Sequence, residues 1–263
     1  ATKDFEDVAR VCDRLDIPYY SVNFAKEYWD DVFTHFLAEY QAGRTPNPDV
    51  LCNREIKFKR MLDKAVDLGG DFLATGHYCQ NISTQLVKGA DTGKDQTYFL
   101  YTIKKEILEK VMFPIGALQK SEVRTIAHKY DLATKDKKDS TGICFIGERD
   151  FPEFLGRYIK SSPGPFMTLD GTRVGAHQGA VYYTVGQRKG LGLGGQGEPW
   201  FVLKKDIDKN IVYVARGTHA DLFSPALIAT ELSWVSGIAP EGENFRTKAK
   251  VRYRQDDQSC LVE

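Results

Sequence analysis

Two prolines set two residues apart, Pro46 and Pro48, lie between two amphipathic stretches of the chain. Each lacks a backbone donor and fixes its own φ. Each also pushes its predecessor, Thr45 or Asn47, out of the helical region. One helix therefore cannot run through the stretch Gly43 to Asn53, GRTPNPDVLCN. Before it, Tyr28, Trp29, Val32, Phe33, Phe36, Leu37 and Tyr40 repeat at three and four and predict a helix over 26–40. After it, Ile56, Phe58, Met61, Leu62, Ala65, Val66 and Leu68 predict a second helix, stopped by Gly69-Gly70. The loop between is stiff. Asp49 precedes Cys52 by three residues where that second helix begins. A thiol near a helix start is activated by the dipole, and a carboxylate one turn away can move a proton. The same residues also suit an Asx turn capping a helix beside an inert Cys.

The flanking sequence predicts α/β alternation. Residues 4–15 form an amphipathic helix with Cys12 on its apolar face, and Tyr19–Phe24 is β-prone. Asp71–Thr75 reads as a buried strand, followed at once by Gly76-His77-Tyr78. Ligands of parallel sheets bind outside the carboxyl ends of strands, which is where Gly76 falls. Lys120–Asp131 reads as a helix with Val123, Ile126, Ala127 and Tyr130 on one face. Lys135–Gly147, KDKKDSTGICFIG, carries Cys144 in a small glycine-containing turn, with Lys129, Lys135, Lys137 and Lys138 nearby. Cations of that kind lower a thiol pKa and attract phosphate. A buried strand Cys fits as well.

Beyond Pro165 the texture is β-rich. Gly179–Val185, Trp200–Leu203, Asn210–Val214 and Phe245–Arg254 read as strands between turns. Gln187–Gly195, QRKGLGLGG, is basic and glycine-rich but matches neither a P-loop nor a dinucleotide fingerprint. Lys94-Asp95-Gln96 beside aromatics, and Arg252-Tyr253-Arg254, are candidate nucleic-acid contacts. Lys plus Arg equals Asp plus Glu at 36 each, so such a partner must be met by a local basic patch. Five scattered Cys without a C-x-x-C pair argue against a disulfide framework and against a cysteine-rich zinc site. No apolar run nears the ~20 residues of a membrane span, and a reducing cytoplasm is expected.

Six stretches in order, GRTPNPDVLCN, ATGHY, KDQTYFLY, STGICFIGERDF, YTVGQRKGLGLGG and VRYRQ, resemble the bacterial tRNA-specific 2-thiouridylases over nearly the whole chain. The resemblance implies α/β plus β architecture. A Rossmann-like ATP-pyrophosphatase-type domain would cover 1–147, incomplete because its nucleotide loop is missing. A small central tRNA-binding domain would cover 148–197, and a C-terminal β-barrel, cut short, 198–263. It implies an ATP-dependent enzyme, with Mg2+, that puts sulfur on C2 of the anticodon wobble uridine of Glu, Gln and Lys tRNAs. Asn47, Pro48 and Asp49 would meet the target base, with Asp49 as acid/base. Cys144 would carry a persulfide received from a sulfur-relay protein or a cysteine desulfurase. Cys52 would resolve the intermediate and leave a Cys52–Cys144 disulfide. Gly76 would approach ATP. Lys94, Asp95, Gln96, Arg252 and Tyr253 would contact tRNA. No resident metal site and no membrane contact are implied.

The family's Ser-Gly-Gly-Val-Asp-Ser phosphate loop does not occur in these 263 residues. On that reading the chain as written binds ATP poorly. Two other readings follow: an inactive tRNA-binding fragment, or another ATP-pyrophosphatase-type ligase or amidotransferase whose cysteines are incidental.

Overall fold

The computed structural model describes residues 2–139, 147 and 151–263. In chain order α1 (Thr2–Leu15) precedes α2 (Ala25–Tyr28), a π-helical segment (Trp29–Phe33) and α3 (Thr34–Gln41). After the proline-rich loop come α4 (Pro48–Leu51), a second π segment (Cys52–Met61) and α5 (Leu62–Asp67). Next are β1 (Leu73–Ala74), β2 (Cys79–Ile82), β3 (Gln85–Lys88), α6 (Lys105–Leu108), β4 (Val111–Met112) and α7 (Lys120–Lys129). The remainder is α8 (Phe151–Gly156), β5 (Gly164–Met167), β6 (Arg173–His177), β7 (Trp200–Asp206), β8 (Ile211–Arg216), β9 (Phe245–Ala249) and β10 (Gln258–Val262).

Two compact units result. The first comprises Ala1–Tyr28, Asp49–Ser140 and Glu231–Glu263, and the second Trp29–Pro48 and Thr141–Thr230.

In the first unit β1 pairs β4 in parallel, a parallel pairing as the α/β alternation predicts, though with a partner at Val111–Met112 that the sequence pattern does not mark. β2 and β3 form an antiparallel hairpin through Ser83 and Thr84, both at positive φ. Its core gathers Phe58, Cys79, Leu100, Ile103, Leu108 and Val111. Gly116 closes against β2: a Cβ there would lie 1.7 Å from the Cys79 carbonyl oxygen, so only glycine fits. β9 and β10 pair with each other.

In the second unit the expected helix is present, and it buries Val32, Phe33, Phe36 and Tyr40. Phe33 meets Phe154 and Tyr158 at ring distances of 5.8 and 4.9 Å. Each such fully buried side chain contributes about 1.5–3 kcal/mol. Gly43, at φ +76°, ends the helix, and a Cβ on it would sit 2.5 Å from Ile207 Cγ1. The strands lie in one sheet of order β6-β5-β8-β7. Phe166, Val202, Val212 and Val214 form its core. Pro165 is accommodated because the parallel pairing of β5 with β8 starts only at Phe166.

Several expectations are corrected. Tyr19–Phe24 is not a strand: among the described residues no neighbour pairs with it, and Tyr20 is 75 % exposed. β-propensity needs a partner to become a ladder. Cys12 is only half-buried, whereas Asp7 on the same helix is buried and bound to Lys137 and Arg10. The apolar face of α7 does not enter a core, since Ile126 and Tyr130 stay exposed. Gly179–Val185 turns through a 3-10 segment instead of extending. Arg252-Tyr253-Arg254 lies in a turn beyond β9, not on a strand. The division expected at 197/198 does not separate the strands, because β7 and β8 join β5 and β6 in one sheet. Residues 231–263 group with the first unit. Among the described residues the sheets are open, and no barrel closes.

Candidate functional site

The proline-rich loop leads directly into helix. Pro48 is the first residue of α4, where its missing N–H costs nothing. Cys52 therefore stands four residues inside the helix, as the first residue of the π segment, and is fully buried. The sequence suggested a thiol at the helix start, where the dipole acts most strongly. The structure moves Cys52 past that first turn. Asp49 is half-buried and Pro48 buried. Asn47 and Pro48 belong to the second unit, and Asp49 and Cys52 to the first. Cys144 lies outside the described residues, as does the STGICF turn around it.

Next to Cys52, Asn53 is 2 % exposed and donates through Nδ2 to the Phe99 carbonyl at 3.1 Å. Its Oδ1 is buried without a partner. The π segment continues to Phe58, whose ring lies 5.6 Å from that of His77. His77 follows Gly76 at the end of β1, and its Nδ1 is 2.8 Å from Thr75 Oγ1. Burial, aided by the Lys57 charge, holds the imidazole down to a pKa of about 3, so it is neutral at physiological pH. Gly76 is exposed, and a Cβ on it would have one neighbour, Ile115 Cδ1, at 3.9 Å. Its backbone is therefore exposed beyond the end of β1.

The Lys94-Asp95-Gln96 turn packs on the same motif. Gln96 Oε1 accepts from the Tyr78 N–H, and the Gln96 N–H donates to the Tyr78 carbonyl, both at 2.9 Å. Asp95 is buried and accepts from Gly89 N–H at 2.9 Å and from Thr97 Oγ1 at 2.7 Å. Asp95 and Gln96 thus shape the turn, and half-buried Lys94 is left with its ammonium group on Asp139. Beyond the turn, the Tyr98 hydroxyl donates to the Val251 carbonyl at 3.0 Å. The Phe99 ring lies 4.6 Å from Tyr253. Within the first unit the residues just after the 94–96 turn, Tyr98 and Phe99, therefore pack against the 251–253 stretch. Arg252 is exposed beside Tyr253.

Cys79 is fully buried in the core, and burial together with the Asp95 charge pushes its thiol pKa far up. Cys12 and Cys260 are half-buried. Among the described residues no group of three or more His, Cys, Asp or Glu is placed to hold a metal ion. No described helix is long and apolar enough to cross a membrane. Sequence reasoning missed Asn53 as the link to Phe99. It also missed Lys120 and Arg124, which with Lys94 surround Asp139. Only tertiary contact reveals either.

Comparison with known proteins follows this geometry. Residues 1–148 match the family described as the tRNA methyl transferase HUP domain, and residues 152–216 match the tRNA methyl transferase PRC-barrel domain. The chain is 57 % identical over 270 residues to the tRNA-specific 2-thiouridylase MnmA of Protochlamydia amoebophila, covering all of this chain and 71 % of that protein. It is 58 % identical over 269 residues to that of Alkaliphilus oremlandii, covering 100 % and 74 %. It is 55 % identical over 267 residues to that of Bacillus subtilis, covering 100 % and 72 %.

Proposed function

This chain belongs to the tRNA-specific 2-thiouridylase family, and we propose that it works as a tRNA-uridine 2-sulfurtransferase by a two-cysteine mechanism. What carries the reading is 57 % identity across the whole chain to a relative of that name. The family descriptions speak of methyl transfer and the relatives of thiolation. A carboxylate and a thiol three residues apart, Asp49 and Cys52, suit sulfur chemistry.

The target is C2 of the wobble uridine in Glu, Gln and Lys tRNAs. ATP, accompanied by Mg2+, supplies the adenylate that makes the C2 oxygen a leaving group, and the HUP match supports use of a nucleotide. Gly76 gives that nucleotide an open backbone. Asn47, Pro48 and Asp49 hold the base, and Asp49 moves the proton. Cys144 carries the persulfide, delivered by a sulfur-relay protein or cysteine desulfurase. Its outer sulfur attacks C2, forming a carbon–sulfur bond as AMP departs. Cys52 then attacks Cys144 Sγ and breaks the sulfur–sulfur bond, and thiolated tRNA leaves. The Cys52–Cys144 disulfide that remains is reset by two electrons from a thiol reductant. Lys94, Asp95, Gln96, Arg252 and Tyr253 engage the tRNA, with Asp95 and Gln96 acting through the shape of their turn. The cytoplasm, where thiols stay reduced and tRNA is found, is the proposed site of action.

The test incubates the whole protein carrying this sequence with unmodified tRNA, ATP and a persulfide donor, then measures nucleosides by mass spectrometry. ATP-dependent 2-thiouridine is expected. A methylated nucleoside, or no sulfur incorporation, would overturn the reading.

A further inference from the structure

In the first unit three cations converge on one carboxylate. Lys94 Nζ lies 2.9 Å from Asp139 Oδ2, Lys120 Nζ 3.0 Å from Oδ1, and Arg124 Nη2 3.9 Å from Oδ1. Lys120 also lies over the Tyr78 ring at 5.4 Å. Two further carboxylates are close, Asp91, whose Oδ2 accepts from the Lys120 N–H, and Asp95, buried in the Lys94 turn. Three cations face three carboxylates, so positive charge is uncovered only when Asp139 swings away. The side chains of Lys94 and Asp139 are 42 % and 47 % exposed, and those of Lys120 and Arg124 28 % and 30 %. Solvent, and hence a ligand, reaches Lys94, Lys120 and Asp139, whereas the Arg124 guanidinium is already donated to the carbonyls of Thr134, Lys135 and Lys137 and adds only its charge.

We infer that Asp139 occupies a phosphodiester site, and that a backbone phosphate of bound RNA displaces it from Lys94 and Lys120, within the field of Arg124. The inference rests on the reading of tRNA as substrate and adds Lys120 to the residues that hold it. A phosphodiester carries the same single charge as a carboxylate and likewise presents two anionic oxygens, so the exchange is one for one. Exposed ion pairs are weak and exchange readily. The lysine hydrogen bonds that hold the Asp139 pKa down to about 2 mark a field that favours an anion. The adjoining surface suits nucleic acid more than a small phosphate ester. Burial and the Asp95 charge raise the Tyr253 pKa, Lys94 and Asp139 act on it as well, and its ring lies 4.6 Å from Phe99 and 6.0 Å from Tyr98. Cations beside aromatic rings are what RNA uses for backbone contact and base stacking.

The experiment measures binding of unmodified tRNA to the whole protein across a salt series, with unfolding midpoints in parallel. Asp139→Asn removes the internal competitor and should tighten binding by about 3–10-fold, as like-charge removal at a phosphate contact would. Lys120→Gln should weaken binding and flatten the log K against log salt slope by about 0.7–0.9, the share of one phosphate contact. In the double variant the gain from Asp139→Asn should shrink. Inorganic phosphate should compete weakly against tRNA. Unchanged tRNA affinity in Asp139→Asn with an unchanged midpoint would overturn the inference while leaving the tRNA reading intact. Should Asp139→Asn lower the midpoint, the Lys120→Gln slope decides, and an unchanged slope overturns the inference. No tRNA binding by the unaltered protein would overturn both.

Discussion

Asn53 donates from Nδ2 to the Phe99 carbonyl oxygen at 3.1 Å, and so ties the residue after Cys52 to the turn whose ring meets Tyr253. Within the first unit this bond joins the helix carrying the thiol to the aromatic and basic surface. The Asn53 Oδ1, an acceptor, could not replace this bond to a carbonyl, and it has no partner among the described residues. The helix that carries Cys52 and the turn that carries Phe99 are therefore joined by this side chain.

Asn53→Ala should orphan a carbonyl and leave a small void at a site 2 % exposed. The cost expected is about 1–3 kcal/mol, that of an unsatisfied buried polar group. Denaturant unfolding measures it through the midpoint at constant slope. A change within the error of extrapolation would mean the bond is replaced by water and the link is not structural.

Gly43→Ala tests the end of the long helix. The position has φ +76°, and a Cβ would press on Ile207 Cγ1 at 2.5 Å. Left-handed strain costs roughly 1–3 kcal/mol, and the clash adds to it. A lower unfolding midpoint is expected, and an unchanged one would show that Ile207 moves aside without penalty.

Stability should also carry a histidine signature. His77 is neutral in the fold, with its pKa depressed from 6.5 to about 3 by burial and Lys57. Between those values the unfolded chain binds one more proton than the folded one, so stability falls as pH falls through this window. The slope contributed approaches about 1.4 kcal/mol per pH unit. Carboxylates such as Asp139 add their own losses at lower pH, so the comparison is with His77→Gln, which should flatten the curve between about pH 6 and 4. Parallel curves for the two proteins would refute the assignment.

These relationships were legible in the sequence to different degrees. Helix periodicity is local, so residues 26–40 and the stop at Gly69 were readable, as was the parallel strand at Leu73. Asp49 and Cys52 stood out by their spacing from two prolines. The π segments had no such signal, and within the first of them Trp29 is 48 % exposed while Phe33 is buried. Tyr19–Phe24 and Gly179–Val185 looked like strands because their side chains favour the pleat. A ladder also needs a neighbour, and sequence pattern does not supply one. Lys94 and Tyr253 were each suspected alone. Their meeting, and the role of Lys120 and Asp139 between α7 and the turn, depends on contacts far apart in the chain.

Cys52→Ser gives the sharpest test of the two-cysteine chemistry. Serine keeps the size of the buried side chain but cannot displace sulfur from Cys144 at useful rate, because its hydroxyl remains protonated at neutral pH. The step before it is untouched, so tRNA should stay joined to Cys144 through the sulfur bridge. Release of 2-thiouridine should fall by at least about 10²-fold, the scale on which losing a nucleophile acts. A labelled tRNA band should shift to the protein on a denaturing gel and return on treatment with a thiol reductant. Thermal unfolding of the variant checks that the helix from Pro48 persists. Full turnover by Cys52→Ser would remove Cys52 from the mechanism. Loss of turnover with no reductant-sensitive adduct would place its role before the carbon–sulfur bond forms.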